Sequence, residues 1–246
     1  MRKLTAVAML AGAAVFGTPV LAADMPFLPP VIDIPDVNYG VSGAFYLRGS
    51  AGWNALWARE VNHPGVVGTP FPTDALGYGY SLGAGLGYET GTGLRFDVTA
   101  DYLANEGLQA TIPASAAGAL TPGVHTLSLR STIVLANAYY DFGFGNGGYG
   151  VAGGAFGYVG AGAGVAFNDF ITTGPDATRP DTRAQNASLA AAGMVGVGYD
   201  FGQIVADVGY RALYISELNN TVATAPYSIP HNWAHEVRGT LRYRFN

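Results

Sequence analysis

The stretch Trp233-Ala-His-Glu-Val-Arg-Gly-Thr-Leu-Arg-Tyr-Arg-Phe245 alternates with period two. One face carries Trp233, His235, Val237, Gly239, Leu241, Tyr243 and Phe245; the other carries Ala234, Glu236, Arg238, Thr240, Arg242 and Arg244. Side chains of a β-strand point alternately to opposite faces, so the pattern describes a strand with one apolar and one charged side. Aromatic residues stand at both ends of the apolar side. That combination suits a strand whose outside meets lipid and whose inside meets a polar lumen.

Seven further segments can be read the same way. Strand one, about residues 44–53, sets Phe45, Leu47, Gly49, Ala51 and Trp53 against Tyr46, Arg48 and Ser50. Strand two, about 76–88, sets Leu76, Tyr78, Tyr80, Leu82, Ala84, Leu86 and Tyr88 against an all but continuous glycine face. Strand three, about 92–103, sets Leu94, Phe96, Val98, Ala100 and Tyr102 against Arg95, Asp97, Thr99 and Asp101. Strands five, six and seven cover about 149–167, 189–201 and 204–214. Strand four, about 126–141, mixes its faces: Leu127, Leu129, Ile133 and Leu135 share a parity with Asn137, while Ala136, Ala138 and Tyr140 share one with Arg130. A β-bulge within residues 131–137 that swaps faces is the expected remedy.

Ahead of these lie two segments of another kind. Residues 1–22 read as a cleaved secretory signal: Arg2 and Lys3, an apolar run from Leu4, then Val20-Leu21-Ala22. The run is shorter than the ~20 residues that a spanning helix needs. Residues 23–42 hold Pro26, Pro29, Pro30 and Pro35 and are expected to be an extended periplasmic lead-in. The barrel is assigned to 43–246. Cleavage would remove two of the 12 basic residues and leave ten arginines against 17 acids, a net charge of −7. Such an acidic balance argues against nucleic acid as a partner. The chain has no cysteine, so an exported protein of this sequence must be closed by something other than disulfides, such as a hydrogen-bonded barrel.

Connections after strands two, four and six are short, and those after one, three, five and seven are long (54–75, 104–125, 168–188 and 215–232). Short turns on one side and long loops on the other mark an eight-stranded antiparallel up-and-down transmembrane β-barrel, with long loops extracellular and both termini periplasmic. Aromatic residues fall into two girdles, Trp53, Tyr102 and Trp233 toward the long loops and Tyr88, Tyr243 and Phe245 toward the short turns.

The interior is expected to hold a lumen charge network of Arg48, Arg95, Arg211, Arg238, Arg242 and Arg244 against Asp97, Asp101, Asp207 and Glu236. Eight strands leave room for little beyond side chains, so a polar plug is favoured over an arginine-lined, anion-favouring pore. Two arginines then need partners from strand four, from Glu89 or from water. The glycines of strand two either make room for the crossing arginines or leave a narrow water path. They are not a phosphate loop, because no Gly-Lys-Ser/Thr follows. His63, His125, His231 and His235 lack metal-ligand spacing, so neither a metal nor a haem cofactor is expected. Ser228, His231, His235 and Glu236 supply the residue types of a hydrolase without a recognisable spacing, so no catalytic residues are assigned and the protein is not expected to be an enzyme.

Phe45-Tyr-Leu-Arg-Gly49, Asn137-Ala-Tyr-Tyr-Asp-Phe142, Gly198-Tyr-Asp-Phe201 and Leu21-Ala-Ala-Asp-Met-Pro26 resemble the small OmpA-like, opacity-type outer-membrane proteins of alphaproteobacteria. The resemblance implies an eight-stranded barrel in the cell outer membrane and a role in envelope integrity, adhesion or immune recognition. It also implies contact with outer-membrane lipid and lipopolysaccharide, a host or surface ligand at the loops, and recognition of the C-terminal strand by the insertion machinery. Phe245 and Tyr243 are expected to carry that recognition although Asn246 follows them. The expected function is thus a structural or surface-interaction barrel protein. A small-solute porin-like channel and a haem-binding surface receptor stand as alternatives.

Overall fold

A computed structural model describes residues 43–62, 70–116, 121–144, 153–176, 182–220 and 227–245, all within the second of two units, Met1–Asn38 and Tyr39–Asn246. The expected signal, the whole proline-rich segment 23–42, His63 and Asn246 lie outside the described residues. Among the described residues there are ten strands: β1 (Ala44–Trp57), β2 (Glu60–Val61), β3 (Phe71–Ala75), β4 (Gly77–Glu89), β5 (Leu94–Ile112), β6 (Gly123–Gly143), β7 (Gly154–Thr173), β8 (Thr182–Asp200), β9 (Ile204–Asn220) and β10 (Tyr227–Phe245).

Eight of them close a ring. Each of β4 to β10 pairs antiparallel with the next, β4 pairs with β1, and β1 pairs with β10 from Phe45↔Phe245 to Trp57↔Trp233. Starting at Leu56 and stepping through partners Ala234, Leu213, Ala192, Gly162, Asn137, Asp97 and Gly87, the path returns to β1 at Tyr46, ten residues lower. A stagger of this size in eight strands tilts them by about 40° to the barrel axis.

The two faces of the ring are segregated. Outward positions between the aromatic bands are Leu, Val, Ile, Ala, Gly and Thr, with no Asp, Glu, Lys or Arg among them. Trp53 is 80% exposed and Leu86 65%, whereas Arg95 on the inward face is 2% exposed. Water does not leave such an exterior bare, and a bilayer accepts it. Eight residue steps of tilted strand separate Phe45 from Trp53 and Tyr88 from Tyr80, which gives an apolar band of roughly 20 Å between ring-bearing positions, near the ~25 Å of such barrels. The chain is an eight-stranded transmembrane β-barrel.

The structure departs from the sequence reading in two respects. Pairing through residues 131–137 is unbroken on both sides of β6, so the expected bulge is absent there. Leu127, Leu129, Ile133 and Leu135 simply point inward, and the interior is apolar on that side. The register shifts lie higher, at Gly107 of β5, whose φ is 88°, and between Thr73 and Ala75. Second, much of the long connections is strand. β5 continues to Ile112, β7 to Thr173, β9 to Asn220, and β2 and β3 sit within the first connection. Above the band both faces carry polar residues, so alternation fades while backbone pairing continues.

A lipid-facing position should reject charge in proportion to its depth. Val98→Arg, on the outer face midway between Leu94 and Tyr102 and thus at mid-band, is expected to lower stability in lipid vesicles by about 2–4 kcal/mol. Urea unfolding monitored by tryptophan fluorescence would show this. A change below about 0.5 kcal/mol, ordinary for a water-facing site, would contradict the assignment.

Candidate functional site in the barrel interior

Inward positions of β1, β4, β5, β6, β8, β9 and β10 bring six arginines and seven acids into one lumen, arranged in tiers. At the level of the lower aromatics, Arg95 forks onto Asp141, with Nε and Nη2 each donating at 3.0 Å. Arg244 ion-pairs with Glu89 and donates to Asp200 Oδ2 at 2.7 Å and to the Gly202 carbonyl at 2.8 Å. Arg242 lies between Glu89, Asp141 and Asp207 at 3.6–3.7 Å, over the ring of Phe156.

One tier up, Arg48 donates to Asp97 at 2.8 Å and to the Tyr139 hydroxyl at 2.7 Å. Tyr46 and Asn137 also donate to Asp97, at 2.9 and 2.7 Å. Arg95 stacks on Tyr139, its guanidinium carbon 3.9 Å from the ring centroid. Tyr158 donates to Asp207 at 3.2 Å.

The upper tier is a closed ring of alternating charge. Arg211 donates to Glu236 Oε2 at 2.5 Å and to Asp101 Oδ2 at 2.7 Å. Arg238 donates to the other Asp101 oxygen at 2.6 Å and approaches Glu236 at 3.9 Å. Asp101 thereby ties β5 to β9 and β10 across the lumen. Charge-assisted hydrogen bonds of this kind offset the heavy desolvation cost of sequestered charges only when every partner is in place.

The glycine face of β4 is occupied. A methyl group at Gly83 would overlap Asp101 Oδ1, and one at Gly87 would overlap the Tyr46 ring. The glycines admit crossing side chains, and those side chains fill the space. Glu89 and Asp141 are the partners that the two surplus arginines required. With Asp200, whose inward parity matches that of its neighbours on β8, they turn the expected cationic surplus into seven acids against six bases. Sequence reasoning had placed Asp141 and Asp200 in strand ends beside turns. Their parity with Asn137 and with Gly198 was the available signal.

Above the charged tiers the interior carries no charge and is mostly apolar, with Asn54, Asn105 and Ser131 buried among aliphatic side chains. Leu56, Leu103, Leu129, Ile133, Leu213 and Ile215 are all 0% exposed and belong to one cluster. Leu56 adjoins Trp57 in sequence, Leu103 adjoins Tyr102 and Leu213 adjoins Tyr214, so this layer is level with the upper aromatics. Alternation on β6, with Leu129, Ile133 and Leu135 on one parity, is its sequence sign.

Outside, Trp53 and Tyr102 are exposed, and Trp233 stacks against Tyr214 at 5.0 Å opposite Trp57. Tyr88 packs on Phe45 at 4.9 Å and Tyr243 on Phe245 at 5.4 Å. The histidines do not converge. His231 bonds Tyr214 at 2.7 Å, His235 bonds Tyr210 on the outer face, and His125 bonds the Thr121 carbonyl at 2.9 Å. Among the described residues no group of three or more His, Cys, Asp or Glu could hold a metal. Ser228 donates to Glu217 at 2.6 Å, while His235 and Glu236 face opposite sides of β10, so these hydrolase residue types form no common site.

No family model matches the chain, and no curated protein matches it. Among solved structures it is similar to Neisserial surface protein A (20% identity, 83% of this chain and 99% of that one, TM-score 0.49). It is also similar to the N-terminal β-barrel domain of Pseudomonas aeruginosa OprF (12% identity, 82% and 100%, TM-score 0.41). A third is the outer membrane protease OmpT from Escherichia coli (8% identity, 83% and 96%, TM-score 0.40). At these identities the likeness carries no function across.

Removing the acid that joins both upper arginines should be costly. Asp101→Ala is expected to destabilise the barrel by about 3–5 kcal/mol, because two sequestered cations each lose one of their two carboxylate partners and share the single Glu236. Gly83→Ala should act in the same direction by about 1–3 kcal/mol, through displacement of the same carboxylate. Urea unfolding in vesicles measures both; two near-zero results would show that the carboxylate is not held in place.

Proposed function

We propose that this protein is an outer-membrane β-barrel with a structural and surface-interaction role and a closed lumen. The observation that carries this reading is the segregation of the ring: an uncharged apolar exterior between two aromatic bands, and an interior holding six arginines and seven acids in mutual contact. The exterior fits lipid, with Trp53, Tyr102 and Trp233 at one headgroup level and Tyr88, Tyr243 and Phe245 at the other. The lumen charge network of Arg48, Arg95, Asp97, Asp101, Asp207, Arg211, Glu236, Arg238, Arg242 and Arg244 locks the strands in register.

The hairpin tips of β5–β6, β7–β8 and β9–β10 lie outside the cell in this reading, toward lipopolysaccharide and any surface ligand. The turns at 90–93 and 201–203 and both termini lie in the periplasm, where the insertion machinery engages β10. The outer part is built as a platform. Phe71, Leu108, Leu127, Phe170, Leu218 and Ile229 are buried there. Tyr227 of β10 bonds Thr172 of β7 and packs on Phe170 at 6.0 Å. A packed platform presents a fixed surface, as recognition requires. The apolar interior layer weighs against a porin-like channel, and among the described residues His125, His231 and His235 give haem no shared pair of ligands.

Because the chain has no cysteine, single cysteines report orientation. On intact cells a membrane-impermeant maleimide should label Val124→Cys, at an exposed position of the outer β6 extension, and should label Gln203→Cys only after the envelope is permeabilised. The reverse pattern would overturn the orientation, and equal labelling of both in intact cells would overturn the outer-membrane reading.

A further inference from the structure

The closed lumen can owe its closure to either of two sections in series, the charged tiers or the apolar layer above them. We infer that the apolar layer of Leu56, Leu103, Leu129, Ile133, Leu213 and Ile215 is the barrier to water and small ions, and that the charged section beneath it is a solvated dead end open toward the periplasmic rim. This inference rests on the closed-lumen reading and goes beyond it by naming the gate.

Three observations carry it. First, the charged section has polar atoms that no protein group reaches. Arg242 Nε and Nη1, Arg211 Nη2, Arg238 Nε and Glu236 Oε1 are without a hydrogen-bond partner. The three carboxylates around Arg242 stand at 3.6–3.7 Å, a separation suited to bridging by water rather than direct bonding. Sequestered polar groups of this kind are satisfied by water. Second, exposure is graded along the axis. At the rim the Glu89 and Arg244 side chains are 17% and 15% exposed, and the six apolar residues are 0%. Third, the apolar layer offers an ion no charge, and the few polar side chains among it are engaged with one another, Asn105 donating to Asn54 and Ser131 to Asn168. Leu, Ile and Ala side chains meet from β1, β5, β6, β8, β9 and β10, and hydrophobic constrictions gate by excluding water. The charged section, by contrast, already presents groups that replace part of a hydration shell.

The experiment is conductance of the refolded full chain in planar bilayers, with the heat-dependent shift on an unboiled gel as the check of folding. Three proteins are compared: the unchanged chain, Ile133→Ser with Leu213→Ser in the apolar layer, and Arg211→Gln with Glu236→Gln in the charge ring. The unchanged chain and the charge-ring variant are expected to be silent. The apolar-layer variant should pass current roughly tenfold or more above them, because hydroxyls let water span the layer. A conducting charge-ring variant would overturn the inference, whether or not the apolar-layer variant folds. So would a folded apolar-layer variant as silent as the unchanged chain. Conductance in the unchanged chain itself would instead defeat the closed-lumen reading, a separate failure.

Discussion

Arg211, Asp101, Arg238 and Glu236 join strands that the backbone does not. Hydrogen bonds of the ring hold each strand only to its two neighbours, and in lipid the exterior gains nothing from leaving water when strands associate. Cohesion across the lumen must therefore come from the interior. Asp101 provides it by giving one carboxylate oxygen to Arg211 of β9 and the other to Arg238 of β10, from β5 on a different arc of the wall. Gly83 is required where that carboxylate passes β4, and Ser50 completes the surroundings by accepting from Arg238. A shift of register in any of these strands would turn a charge outward into lipid, so the ring and the register enforce each other.

The same logic explains the order of tiers. Charges at the lower end lie beside the rim, where Glu89 and Arg244 retain contact with solvent. Those in the upper tier lie farther from the rim and are paired directly at 2.5–2.7 Å. Beyond them the chain stops using charge and fills the bore with leucine and isoleucine. A lumen built this way combines two solutions to one problem, since an eight-stranded interior must be filled by side chains. Charged pairs specify register, and apolar packing excludes water.

Most of the barrel was legible in the sequence because a bilayer imposes the strictest version of the alternation rule. Within the band every outward residue is uncharged, and Phe45 to Trp53, Leu94 to Tyr102 and Trp233 to Phe245 could be assigned to faces from parity alone. The rule lapses where the bilayer ends. Residues such as Glu106, Gln109, Asn168, Asn186 and Glu217 allow polar groups on both faces, so the strand extensions read as loops. It also fails where the lumen is not polar: Leu127, Leu129, Ile133 and Leu135 looked like a second lipid face and suggested a bulge. Asp141 and Asp200 stand beside turns, and only their parity with Asn137 and Gly198 marks them as inward. Partners of Asp101 could not be read at all, because Arg211 and Arg238 are more than a hundred residues away and only closure of β1 on β10 brings them within reach.

The claim that the interior charges hold the barrel together across its lumen is tested most directly by a double-mutant cycle. Asp101→Asn, Arg211→Gln and the double variant would be compared with the unchanged chain by equilibrium unfolding in vesicles. The account predicts a coupling energy above about 1 kcal/mol between residues on non-adjacent strands. Additive effects, with coupling indistinguishable from zero, would contradict it and leave the backbone ring and the apolar layer as the sole sources of cohesion.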